Sequence, residues 1–199
     1  MDGGVNMSNL LLKRLIQDEK NVPEQSADLF TYTYFAFLDY FHRISIIDVH
    51  QFIIGANFTY GWMPTMLRLK STQFEAAAED AAQILNHAKR RENLTDQEYQ
   101  LLIDLMNRSI VGVSKLLHFV NPQDYAIWDS RVAAYLNPAM SSYQFQRTAT
   151  YRSYLEQCAA LCAFDEFAAL HQSVNHKVGR PVTPFRAIEL VMYTNGRSN

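Results

Sequence analysis

Glycine (7) and proline (6) are scarce in this 199-residue chain. Alternating polar and apolar runs are also hard to find. Together these absences exclude a turn-rich all-β architecture. Cysteine is limited to Cys158 and Cys162, one helical turn apart in an apolar stripe and without further ligands at metal spacing. They read as small buried hydrophobes rather than a disulfide or a metal pair. The six histidines form no i, i+4 pair or other zinc pattern, so no metal and no other cofactor is expected. No apolar run approaches the ~20 residues of a membrane span, so no membrane partner is expected. The N-terminus lacks a basic stretch followed by an apolar one, and a cytoplasmic location is expected.

A large surplus of either charge is missing as well. The net charge is −2, without the basic surplus of a strongly electrostatic nucleic-acid binder. The distribution is uneven, however. Acids prevail over residues 1–48, and Lys177, Arg180, Arg186 and Arg197 face Glu189 alone near the C-terminus. Such a gradient leaves room for a local phosphate-binding face.

What is present is apolar and helical. Hydrophobic residues make up 48% and aromatics 13%, enough for a substantial core in one helical domain over residues 1–199 or in two lobes. Thr72 with Glu75, and Thr95 with Glu98, have the spacing of capping boxes. The first opens a stripe of Phe74, Ala77, Ala81, Ile84, Leu85 and Ala88, closed by Lys89-Arg90-Arg91 at the negative helix end. Phe30, Tyr34, Phe37, Leu38 and Phe41 mark an aromatic-rich amphipathic helix. The longest helical pattern runs over residues 144–170 with a break near Asp165. Thr183-Pro184 opens the last helix, which buries Ile188, Leu190, Val191 and Met192. Residues 57–65 read as an unusual connection, turned at Gly61 and starting a short helix at Pro64. Tyr60 and Trp62 beside it either stack on an extruded base or seal the core.

Residues 99–136 hold the candidate chemistry; the alternative reading is Lys115 as an ordinary solvated lysine and Asp129 as a plain helix cap. A helix over residues 99–107 is followed by a tight turn at residues 108–114, a short helix at residues 115–119, and an extended link at residues 125–128. Asp129 then caps a helix ending at Leu136. An aspartate at a helix start is held by the amides there and can still present an oxygen to substrate. A lysine in neutral form is an amine nucleophile.

This order, with Gly112-Val113-Ser114-Lys115 and, fourteen positions after the lysine, Asp129-Ser130-Arg131-Val132, resembles the helix-hairpin-helix DNA glycosylase superfamily. In particular it is similar to bacterial proteins with an 8-oxoguanine DNA glycosylase fold. The resemblance covers about the middle fifth of the chain. Ser114 stands at the second hairpin glycine, Arg131 where histidine is common, and the Lys–Asp spacing is shorter.

The resemblance implies an all-α helix-hairpin-helix domain acting on a modified base in double-stranded DNA. Lys115 and Asp129 would be catalytic. The Gly112, Val113 and Ser114 amides would hold a phosphate, with Arg131 and His118 contacting DNA. Trp128, Tyr60 and Trp62 would line the base pocket. Two other readings stand beside it: a non-catalytic nucleic-acid or nucleotide recognition module on the same fold, and a structural helical partner protein.

Overall fold

The computed structural model describes residues 2–24, 29–63, 65–68 and 74–196. Among them are eleven α-helices and one 3-10 turn, and no strand. The chain divides into two compact units, residues 1–32 with 126–199, and residues 33–125. No helix among the described residues is long and apolar enough to cross a membrane. The expected starts at Thr72 and Pro64, and the charge of Arg197, lie outside the described residues.

The second unit is built from most of α2 (Leu29–His42), α3 (Val49–Trp62), α4 (Phe74–Lys89), α5 (Asp96–Leu105) and α6 (Ile110–Val120). Caps set several of these starts. Asp48 and Gln51 form a reciprocal capping box at α3, and Thr95 and Glu98 another at α5. Helix α6 is apolar almost all round, and Ile110, Val113, Leu116, Leu117, Phe119 and Val120 are all buried. A helix of that kind belongs in a core. Phe119 meets Phe37, Phe58 and Trp62 edge-on at 5.4, 6.0 and 5.3 Å between ring centroids. Such ring pairs contribute about 0.5–1.5 kcal/mol each beyond the area they bury.

Three expectations shift here. Helix α3 continues through Gly61 to Trp62, so residues 57–62 are helical rather than a connection. The turn before α6 falls at residues 106–109, not 108–114. Asn107 and Arg108 make it with left-handed backbone, φ 57° and 55°. Helix α6 therefore already contains Gly112, Val113 and Ser114.

The first unit holds α1 (Asp2–Asp18), a 3-10 turn (Glu19–Asn21), α7 (Ser130–Leu136), α8 (Ser142–Phe145), α9 (Thr148–Cys162), α10 (Phe167–Val178) and α11 (Pro184–Asn195). The long pattern at residues 144–170 is interrupted twice, at residues 146–147 between α8 and α9 and at residues 163–166 between α9 and α10. Thr183 caps α11 by accepting from the Arg186 amide, with Pro184 in the first turn. Helix α11 is the centre of this unit, with Ala187, Ile188, Leu190, Val191 and Met192 buried. Its end lies against α7 at Gly196, where a Cβ would stand 1.9 Å from the Arg131 carbonyl oxygen. Only glycine fits there.

Helix α11 also buries a charge pair, Arg186 donating through Nη1 to the Glu189 carboxylate. Removing one member of such a pair costs about 3–5 kcal/mol, because the other charge stays buried. Arg14 of α1 ties to α7 in two ways. Its guanidinium lies 3.7 Å from the Tyr135 ring centroid, and Nη1 donates to the Tyr135 carbonyl at 2.8 Å. The Tyr135 hydroxyl in turn donates to Asp18 at 2.9 Å.

Candidate functional site

Ser109 begins α6 from an extended conformation, and its Oγ accepts from the Gly112 amide at 3.2 Å. The Val113 amide donates to the Ser109 carbonyl at 3.1 Å. Ser114 is fully buried, and its hydroxyl donates to the Val111 carbonyl at 2.8 Å. The phosphate grip expected of Gly112, Val113 and Ser114 is thus corrected. The Gly112 amide is taken by the Ser109 cap, the Val113 amide closes a helical hydrogen bond, and none of the three residues lies in the turn.

Gly112 has another physical reason. A Cβ there would stand 2.5 Å from the Tyr60 hydroxyl and 2.9 Å from its ring. The glycine lets α3 and α6 approach closely. Tyr60 itself is buried, and its hydroxyl donates to the Met106 carbonyl at 2.6 Å. Burial pushes that phenol up to about 12, against a smaller lowering by Ser109. Tyr60 is therefore a core residue, not a wall on which a base could stack.

His118 is likewise corrected from a DNA contact to a core group. It is fully buried, with Nδ1 2.7 Å from the Tyr125 carbonyl and Nε2 2.8 Å from the Tyr34 hydroxyl. A carbonyl can only accept, so Nδ1 carries the proton and Nε2 accepts from Tyr34. Both ring nitrogens are used within the second unit.

Lys115 leaves α6 half-buried, its ammonium 5.5 Å from the Trp62 ring centroid. That is a cation–π contact. The indole also packs edge-on against Phe119. The structure thus brings together two of the residues singled out in the sequence, Lys115 and Trp62.

Asp129 has the role its position implies. It is the N-cap of α7, extended at φ −145°, and its Oδ1 accepts from the Arg131 amide at 3.0 Å. Its side chain is half-buried at the start of a seven-residue helix. Arg131 turns its guanidinium onto the Tyr193 ring, 4.8 Å from the centroid. Trp128, in the extended link before Asp129, is fully buried. It donates Nε1–H to the Phe145 carbonyl at 3.0 Å and stacks on the Phe145 ring at 5.6 Å. Trp128, Asp129 and Arg131 belong to the first unit, Lys115 and Trp62 to the second.

Beside Trp128 the first unit has a feature that the sequence did not announce. It is a cleft of about 720 Å3 bordered by α1, by α7 and the turn after it, and by α9. Its lining includes Arg147 and Tyr154, neither of which was singled out. Arg147 stands at the N-cap of α9, before Thr148, and makes no capping bond there. Among the described residues, no group of three His, Cys, Asp or Glu is placed to hold a metal. No protein-family model, no curated protein and no solved structure matches this chain.

Proposed function

We propose that this chain is a helix-hairpin-helix glycosylase-like protein that removes a modified base from DNA. One observation supports the reading: a helix bearing Lys115, an extended link at residues 125–128, and a helix capped by Asp129 follow one another in that order. In this reading the duplex gives up one nucleotide from its stack, at a cost of a few kcal/mol. The Lys115 amine, its proton first lost to solvent, attacks C1′ of the sugar, and the glycosidic bond breaks with its electron pair leaving on the base. The Asp129 carboxylate stabilises the cationic sugar as that bond lengthens. The base departs protonated, and the lysine–sugar adduct opens to a Schiff base from which the 3′ phosphate can be eliminated. No redox partner is required.

Borohydride added during reaction with lesion-bearing duplexes tests this directly. A covalent protein–DNA adduct is expected in the parent protein and none in Lys115→Gln. Asp129→Asn lowers base release about 100-fold or more. If the folded protein yields neither adduct nor free base across a panel of modified bases, the reading fails.

A second reading is favoured by the capture of the Gly112 and Val113 amides inside α6. Without those amides the fold serves as a non-catalytic recognition module for nucleic acid or nucleotides. Such a module keeps its affinity in both variants and never releases base. Affinity that falls steeply with salt identifies phosphate contact.

A further inference from the structure

Within the second unit, the basic end of α4 meets the capping box of α5. Glu98 Oε2 accepts from the Thr95 amide and hydroxyl at 2.7 and 2.9 Å. Its other oxygen, Oε1, lies 2.7 Å from His87 Nδ1. A carboxylate only accepts, so Nδ1 carries a proton and the neutral ring keeps its lone pair at Nε2. The His87 side chain is 38% exposed, and Nε2 has no protein partner among the described residues. One nitrogen fixed by a carboxylate and the other left bare is how an imidazole is prepared as a nucleophile.

His87 lines a concavity of about 570 Å3 between the end of α4 and the segment that follows α2. Glu98 does not line it, so the ring meets the concavity on the edge away from Nδ1. Lys89, Arg90, Ser45 and Gln83 line it as well, and among the described residues no acidic side chain does. Lys89 Nζ donates to the Phe41 carbonyl at 2.7 Å and has no carboxylate partner among the described residues. Burial lowers its pKa, so an anion beside it is favoured. Arg90 gives Nε to Glu92 at 2.6 Å and keeps its Nη donors. Asn86 fixes the opposite wall, bonding the Ile47 amide and carbonyl at 2.8 and 2.7 Å. Passive binding of an anion would want a proton on Nε2. A lone pair set among cations suits an electrophile that carries negative charge, and a phosphoryl group is one.

We propose that His87 is a phosphoryl acceptor, taking the phosphoryl group of an acyl phosphate through Nε2 in this concavity. The Nε2 lone pair forms the N–P bond, and the P–O bond to the acyl group breaks with its electron pair, releasing a carboxylate. Lys89 and Arg90 offset the charge on the phosphoryl oxygens. The ring becomes cationic, with its Nδ1 proton held against the Glu98 carboxylate, so Glu98 is a positioning residue. No oxidant or reductant takes part.

The full chain incubated with acetyl phosphate, then followed by peptide mass spectrometry and phosphorus NMR, tests this. His50, whose side chain is 88% exposed, is the internal standard for an unassisted histidine. One phosphoryl group is expected on His87, gained about tenfold or more faster than on His50. Acid releases it, as it does a P–N bond, and base does not. Glu98→Gln still accepts from the Thr95 amide, so the cap survives. Transfer to His87 nevertheless slows about tenfold, while His50 reacts unchanged. Lys89→Gln slows it several-fold. The proposal is overturned if His87 reacts no faster than His50, or if Glu98→Gln reacts like the parent. An acid-stable phosphate on Ser45, or an acetyl group on Lys89 in place of the phosphoryl group, overturns it too. Borohydride trapping depends on Lys115 and Asp129, so the two experiments succeed or fail separately.

Discussion

Gly112 and Gly61 are both helical glycines, and their surroundings give them opposite roles. At Gly112 an added methyl would press on Tyr60, whose hydroxyl is held by the Met106 carbonyl in a buried site. The ring has no easy retreat, and overpacking of this kind costs about 1–3 kcal/mol. At Gly61 a Cβ meets nothing within 4 Å. Alanine there removes only the conformational freedom of glycine, a gain of about 0.5–1 kcal/mol in a helix. Gly112→Ala is therefore expected to lower, and Gly61→Ala to raise, the urea midpoint of unfolding. Equal shifts in both would show that close approach of Tyr60 is not why Gly112 is glycine. The residue at the heart of the sequence motif is, in this fold, a packing residue.

At the scale of elements, the start of α6 depends on Ser109. Its hydroxyl accepts from Gly112, and replacing such a cap by alanine costs about 1 kcal/mol. Ser109→Ala is expected to lose that much in denaturant unfolding, with hydrogen exchange quickening first at the Gly112 and Val113 amides. A loss of stability without local quickening would place the effect elsewhere. Three helix starts were legible from their side-chain chemistry, Thr95 with Glu98, Thr183 with Pro184, and Asp129, whereas the caps at Asp48, Ser109 and Ser141 were not foreseen. The turn at residues 106–109 was not legible, because Asn107 and Arg108 adopt left-handed backbone where no glycine advertises it. Asn107 is held there by side-chain bonds to the Arg68 amide and the Met66 carbonyl, both at 2.9 Å. Those partners are some forty residues away, beyond the reach of a local pattern. Glycine misled in the opposite direction, since a turn and a close helix contact use the same residue. Lys115 and Asp129 could be singled out by type and spacing, whereas His118 could not be placed without knowing that Tyr34 and Tyr125 flank it. The Arg147–Tyr154 cleft was hidden for the same reason.

At the scale of the whole molecule, acid bears on the second unit through paired carboxylates. Asp124 accepts two bonds from Arg91, at 2.7 and 2.5 Å, and a third from Asn121 at 2.8 Å. Burial by itself would raise its pKa, but these partners outweigh it and hold the carboxyl below the ordinary range. Glu98 is held low in the same way, burial being outweighed by bonds from Thr95 and His87. Both groups lie in residues 33–125. A carboxyl whose folded pKa is depressed binds protons more readily when unfolded. Its contribution to stability is complete above the unfolded value, roughly pH 4, and is lost as pH falls through the lower folded value. Acid should therefore weaken the second unit progressively below about pH 4. Asp124→Asn should be less stable than the parent at pH 7 and converge on it at low pH, because both then lack the charge that Arg91 and Asn121 bind. Urea unfolding at stepwise pH, with hydrogen exchange reporting separately on α4–α6, measures this. Parallel stability curves for the two proteins from pH 7 to pH 2 would mean that Asp124 is paired in geometry without contributing through its charge. A convergence that follows Glu98→Gln but not Asp124→Asn would move the acid sensitivity to the capping box of α5.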